Sequence, residues 1–347
     1  METKNFLFTR FESSLLAILA VFVAAGCSTL KTRDQVRTTT PTGKTPPPYL
    51  TPSQPGPNPI VTPLEPTSVS VVEQAPAPSE IPPPQQQGSL SNGGIPKVGL
   101  ILGPGGARTF AEIGVLQEFQ REKIPVVGVG GIEWGAPIAA LYSGKGLANE
   151  AEWQMSKLKS DDVFKKSLMG GAARPIDAHG LDEFLRLAFG HAHAEDGRLS
   201  FACPAWNLSK QQVFLMSRGQ FDQLLPYCMA YPPALKPWQG NVAAVREVRM
   251  VADYLRAHGA TVIVLVNVLP APNMARPVSG DEGSAESVLW NEVSAFYAKP
   301  IPGVDHVIHL PLGKASTMSF DDHRELLQKG AETGAPLVRE LAHRLGL

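Results

Sequence analysis

Apolar runs and glycine-rich turns alternate between residues 97 and 145 in a regular order. Lys97-Val98-Gly99-Leu100-Ile101-Leu102 is a short, nearly unbroken apolar run, the pattern of a strand covered on both faces. It gives way to Gly103-Pro104-Gly105-Gly106-Ala107-Arg108, which reads as a tight turn. Thr109 stands where a helix N-cap belongs, and Glu112 three residues on completes a capping box. Ile113, Leu116 and Phe119 then recur at helical spacing. Val126 to Val129 predicts a second strand, running through Gly131-Ile132-Glu133-Trp134-Gly135 into a helical stretch from Ala136 to Tyr142. Strand, turn, helix, strand, turn, helix predicts an α/β domain with a mainly parallel central sheet and helices on both faces. Near the other end, Asp281 to Ser287 is a polar lead-in to a helix over Ala285 to Ala298.

The pattern changes character upstream. Lys4 and Arg10 precede the apolar run Leu15 to Ala25, which is short for a membrane span and has the shape of a secretory leader. It ends Ala24-Ala25-Gly26-Cys27, which resembles a lipobox, so residues 1–27 are expected to be a bacterial lipoprotein leader with Cys27 as the acylated anchor. Resemblance to the usual sorting pattern of bacterial lipoproteins, in which the residue after the cysteine is other than Asp, implies through Ser28 the outer membrane more than the inner. From residue 28 to 94 the chain is dense in proline, with Pro46-Pro47-Pro48, Pro82-Pro83-Pro84 and a Gln85-Gln86-Gln87 tract. That composition cannot bury a core and predicts an extended or disordered linker. At about 3.1 Å per residue it reaches on the order of 100–200 Å. Of the 347 residues, 95–347 are left for one folded domain. A net charge of -1 and the absence of a basic run give no footing for nucleic acid.

The turn at 103–108 admits three uses. A nucleotide site is disfavoured, because neither G-x-G-x-x-G spacing nor a following GK[ST] is present. An oxyanion hole is better served: free N–H groups of Gly105 and Gly106 at a helix start would face developing negative charge. The third is a plain strand-to-helix turn.

The segment LGPGGARTFAEIGV resembles the G-G-G-x-R-G pattern of patatin-like phospholipases, and VVGVGGIEWGAPIAALYSG resembles that family's nucleophile elbow, G-x-S-x-G. Further likeness lies in IDAHGLDEFLRLAFG, LSFACPAWNLSKQQVFLMSRG, CMAYPPALKPW, HGATVIVLVNVL, DHVIHLPL and SFDDHRELLQKGAETG, so it covers about residues 95–335. It implies a three-layer patatin-like fold and, for an intact member, a Ser–Asp dyad acting on acyl esters. The oxyanion-hole-like positions are Gly105, Gly106 and Arg108; the elbow is Gly131, Glu133 and Gly135.

The departures from the family pattern are specific. Glu133 takes the nucleophile position, and no other G-x-S-x-G occurs. The stretch matching the aspartate motif, residues 240–245, holds no Asp, and Asp253 falls in the following helix. Pro104, which has no N–H, replaces the first glycine of the oxyanion pattern, and Thr109 replaces the last. The resulting expectation is a non-catalytic module that binds a lipid, an acyl ligand or an envelope protein. The alternative is an acyl hydrolase with a non-standard nucleophile such as Glu133, for which His179, His191 and His193 are the available bases.

A carboxylate at a tight elbow must be paired or hydrogen-bonded. Glu133 is therefore expected to lie against Arg108 or to take the N–H groups of Gly105 and Gly106. No cofactor or metal is implied; HAHAED reads as a polar loop. Cys203 and Cys228 are expected to be buried, unpaired small hydrophobes, with a disulfide permitted by an oxidising compartment. Trp206, Trp238 and Trp290 are expected in the core or at its rim; a place beside an acyl groove for Trp134, which directly follows Glu133, is the less favoured reading.

Overall fold

A computed structural model describes residues 94–165, 174–175, 178–232, 234–270 and 285–347. The expected leader, Cys27 and the proline-rich linker lie outside the described residues.

The domain is built on a sheet whose strands run β4-β3-β2-β1-β6-β7. These are β1 Val98–Leu102, β2 Val126–Gly131, β3 Ser200–Asn207, β4 Gln212–Met216, β6 Val262–Asn267 and β7 His306–His309, and β5 Asn241–Ala243 pairs with β3. β1 is parallel to both neighbours, with Leu102 opposite Gly131 on β2 and Val266 on β6. β2–β3 and β6–β7 are also parallel; β4 and β5 are antiparallel additions to β3. The two central strands read as unbroken apolar runs because both faces are covered: every residue of β1 and of β6 is buried.

Two separate cores confirm the three layers. One face is covered by α1 Phe110–Arg121, α2 Gly135–Lys145, α3 Ala148–Met155, α4 Asp182–Phe189, α5 Phe221–Met229 and, past the strands, α8 His323–Leu345. The other is covered by α6 Val248–Ala257 and α7 Ala285–Tyr297, around Val251, Leu255, Ile263, Leu265 and Trp290. Alternate residues of β1 divide between the cores, Leu100 to the first and Ile101 to the second. Each such side chain contributes roughly 1.5–3 kcal/mol by burial.

Helices α1 and α8 cross at near backbone contact. A Cβ on Gly330 would lie 2.0 Å from the Ala111 carbonyl oxygen, and one on Gly114 would lie 2.3 Å from the Ala331 nitrogen. That crossing brings the start of α8 beside the start of α1. The chain leaves β1 for β2 on one side and later for β6 on the other, so loops diverge at the carboxyl ends of these strands. In parallel sheets this is where sites form.

Two expectations and one less favoured reading are corrected here. Thr109 and Glu112 do not form a capping box: Thr109 is helical, its hydroxyl donates to the Gly106 carbonyl at 2.8 Å, and Glu112 turns back to the Gly103 N–H instead. A single 3-10 turn over Gly106–Thr109 already occupies the capping position, so α1 starts at Phe110. Cys203 on β3 and Cys228 on α5 are not free thiols but form a disulfide, with Cα atoms 5.9 Å apart. Trp134 does not line an open groove. It is fully buried, its ring centroid 4.6 Å from that of Phe320. Trp290 and Trp238 are buried, and Trp206 is half-buried.

Candidate functional site

The elbow follows β2 directly. Glu133 has φ +55°, a left-handed conformation that a side chain larger than glycine adopts only where its surroundings enforce it. The enforcement is visible on both sides. A Cβ on Gly131 would lie 2.4 Å from the Cα of Ala136, and one on Gly135 would lie 2.6 Å from the Gly103 carbonyl oxygen. These two glycines let strand, turn and helix close on one another, and α2 begins at Gly135. The Ile132 N–H donates to the Leu102 carbonyl at 3.0 Å, which ties the elbow to the end of β1.

That tie sets Glu133 against the glycine-rich turn. Its Oε2 accepts the N–H of Gly105 at 3.0 Å and that of Gly106 at 2.9 Å. Glu133 is 0% exposed. Burial pushes its carboxyl up to about 7, against the opposing pull of the Trp134, Gly105 and Gly106 amides. Oε1 makes no hydrogen bond of good geometry.

A second buried carboxyl serves the same turn. Glu112 Oε1 accepts the Gly103 N–H at 2.7 Å, an N–H shared with the Val266 carbonyl at 3.1 Å. Burial drives Glu112 well above the usual carboxylate range; the Gly103 N–H pulls it down and the charge of Glu133 adds to the rise. The Ala107 N–H goes to the Thr317 carbonyl at 2.7 Å and the Arg108 N–H to Gly105 at 3.1 Å. Pro104 has none to give. Every amide donor from 103 to 108 is thus spent within the protein.

Arg108 does not belong with this donor set, contrary to its assignment beside Gly105 and Gly106. Its guanidinium points to backbone carbonyls, Nε to Val268 at 2.6 Å and Nη1 to Ala315 at 2.5 Å and Gly313 at 3.4 Å. It is 1% exposed, and burial lowers it to about 10. Its work is to fasten the segment 313–317 across the turn. The closure is tight: a Cβ on Gly106, at φ +56°, would lie 2.1 Å from the Thr317 carbonyl oxygen. Phe320 follows and packs on both Trp134 and Phe110. Sequence reasoning missed this strap because Arg108 and Ala315 are 207 residues apart.

The remaining candidates lie elsewhere. Asn241, in the stretch matched to the aspartate motif, spends its side chain on the Trp238 and Gln239 carbonyls and on Asn207. Asp253 is exposed and pairs with Arg249 at 3.6 Å. His191 is exposed, and His193 faces Glu195 at 3.7 Å with 40% of its side chain exposed, so neither touches the buried elbow. The side chain of His179 lies outside the described residues. Among the described residues no three His, Cys, Asp or Glu side chains converge on a metal position.

Residues 100–250 match the family model of the patatin-like phospholipases, which supports a patatin-like phospholipase domain over that stretch. Similar curated proteins include lysophospholipase NTE1 of Chaetomium globosum, 25% identical over 284 residues covering 72% of this chain and 19% of that protein. Lysophospholipase NTE1 of Coccidioides immitis is 28% identical over 216 residues, 59% of this chain and 14% of its own. The chain therefore spans less than a fifth of the length of these relatives. Similar solved structures are VipD from Legionella pneumophila, with a TM-score of 0.37 and 10% identity over 71% of this chain and 67% of that one, and the type III effector protein ExoU, with a TM-score of 0.33 and 14% identity over 71% and 54%.

Proposed function

We propose that this patatin-like domain is a non-catalytic binding module, held at the bacterial outer membrane through a lipid on Cys27 and presenting a surface to a lipid or an envelope protein. One observation carries the reading: the Glu133 carboxylate, fully buried, occupies the Gly105 and Gly106 amides. Acyl transfer at an elbow needs a nucleophile open to substrate, a base to activate it, and free donors for the oxyanion. Here the side chain at the nucleophile position blocks the donors itself. Among the described residues no imidazole touches it, and the 313–317 strap closes over the turn.

A hydrolase with Glu133 as nucleophile remains the second reading. It is favoured by the left-handed elbow backbone and by a carboxyl poised near neutral pH. The two separate in an assay of the full-length protein on short and long acyl esters and on phospholipid, beside Glu133→Ala. The binding-module reading expects no turnover above the variant. Turnover abolished by Glu133→Ala would establish the second.

A further inference from the structure

The sheet ends at β4, and that edge is open. The Ala244 N–H donates to the Pro204 carbonyl at 3.2 Å and the Leu208 N–H to the Gly240 carbonyl at 2.9 Å, so the even-numbered residues of β3 turn their backbone groups to β5. Alternation along the strand turns Cys203, Ala205 and Asn207 to β4, where they face Met216, Phe214 and Gln212. Val213 and Leu215 therefore direct their N–H and C=O groups away from the sheet. Among the described residues neither finds a backbone partner on that side. The strand is also unguarded. Gln212-Val213-Phe214-Leu215-Met216 holds no charge and no proline, its pairing with β3 has no bulge, and Phe214 is 38% exposed. Folded proteins ordinarily blunt a free edge with one of those devices, and an edge without them is a template for a further strand.

A second copy of the chain fits this edge in one register. Outward-facing residues must meet outward-facing residues, and a two-fold axis at Val213, Phe214 or Leu215 keeps both Val213 and Leu215 in the shared ladder. An axis at Val213 needs Gln211 in the strand, but Gln211 has φ +51° and turns out of it. An axis at Phe214 sets Lys210 opposite Arg218 of the second copy, cation against cation. An axis at Leu215 avoids both. Leu215 then faces itself, Phe214 faces Met216, Val213 faces Ser217 and Arg218 faces the uncharged Gln212. Phenyl and thioether make a favourable cross-strand contact. Lys210 is exposed, in no salt bridge among the described residues, with its Nζ 5.9 Å over its own Phe214 ring. This register carries it to the end of the second copy's strand, where an exposed Glu195 accepts the Gly219 N–H at 2.8 Å and Asp196 is exposed beside it.

We infer that β4 is a homodimer interface: two copies pair antiparallel, edge to edge about Leu215, so that one sheet runs through both and Lys210 of each copy meets the Glu195 end of the other. The contact is isologous and closes on itself, which ends assembly at two copies. It uses no residue of the Glu133 site, so it holds for a binding module and for a hydrolase alike.

The test uses the full-length protein in detergent. Sedimentation should show a reversible monomer–dimer equilibrium below about 100 μM protein, the strength expected of a small edge contact. Val213→Pro removes a donor that β3 does not use, and it should weaken the dimer at least about tenfold with the circular dichroism of the wild type retained. Lys210→Glu changes only an exposed loop residue and should weaken it at least about threefold. On mild oxidation Leu215→Cys should form a covalent dimer, because facing residues of a hydrogen-bonded pair hold their Cα atoms about 5.5 Å apart, within disulfide reach. Phe214→Cys should cross-link no more than the wild type. A protein that stays monomeric overturns the inference. So does a dimer that neither Val213→Pro nor Lys210→Glu weakens, since it would be built elsewhere. Cross-linking through Phe214→Cys in place of Leu215→Cys would refute the register and the Lys210–Glu195 contact with it.

Discussion

Replacing Glu133 by glutamine should flatten the dependence of stability on pH. In the folded protein burial holds the Glu133 carboxyl at about 7, against an ordinary 4.5. The folded state therefore favours the protonated form. Its contribution is complete below about 4.5, declines as pH rises, and is lost above about 7. Those values differ by roughly 2.5 units, which at 1.36 kcal/mol per unit is ~3 kcal/mol between pH 4 and pH 8. Glu133 is 0% exposed, so solvent screening takes little from that figure. Glu112 is shifted in the same direction, so the wild type should lose more than Glu133 alone accounts for. Glutamine keeps a carbonyl for the Gly105 and Gly106 amides and cannot ionise. Urea unfolding of wild type and Glu133→Gln across pH 4–8 should show the variant's change in stability smaller by about 3 kcal/mol, with the difference opening between about 4.5 and 7. Parallel curves for the two proteins would refute the reasoning.

Other outcomes follow from contacts of the same kind. Gly106→Ala should cost about 2 kcal/mol or more in thermal unfolding, because it strains a φ of +56° and drives a Cβ into the Thr317 carbonyl. Gly330→Ala should destabilise by ~1–3 kcal/mol by prising α8 from the Ala111 carbonyl. Arg108→Met should release the segment 313–317, seen as faster proteolysis there and not elsewhere. Removing the Cys203–Cys228 bridge, which closes a separation of 25 residues, should cost about 3 kcal/mol in chemical unfolding.

What was legible in the chain follows from range. The strand at 98–102, the turn, the second strand and the elbow are local patterns, and their order alone specifies parallel pairing. The approach of Glu133 to Gly105 and Gly106 was legible as one of two alternatives, the other being Arg108, because a carboxylate forced into a tight elbow has few places to put its charge; the structure selects the amides. Arg108 was misread because its glycine-rich neighbours point to an anion, whereas its real partners are carbonyls on residues 268, 313 and 315. Glu112 fits a capping box by spacing. The 3-10 turn before α1 shifts the frame and hands that carboxyl to Gly103. The cysteines could not be paired from sequence, since only the packing of α5 against β3 brings them within reach.

The central claim is that Glu133 holds the two glycine amides which a catalytic member of this fold would leave free. Hydrogen exchange at Gly105 and Gly106, resolved residue by residue by NMR in wild type and Glu133→Ala, tests it most directly. Both amides should be strongly protected in the wild type and lose that protection in the variant, while the β1 amides exchange alike in the two proteins. Equally fast exchange at Gly105 and Gly106 in wild type and variant would contradict the account.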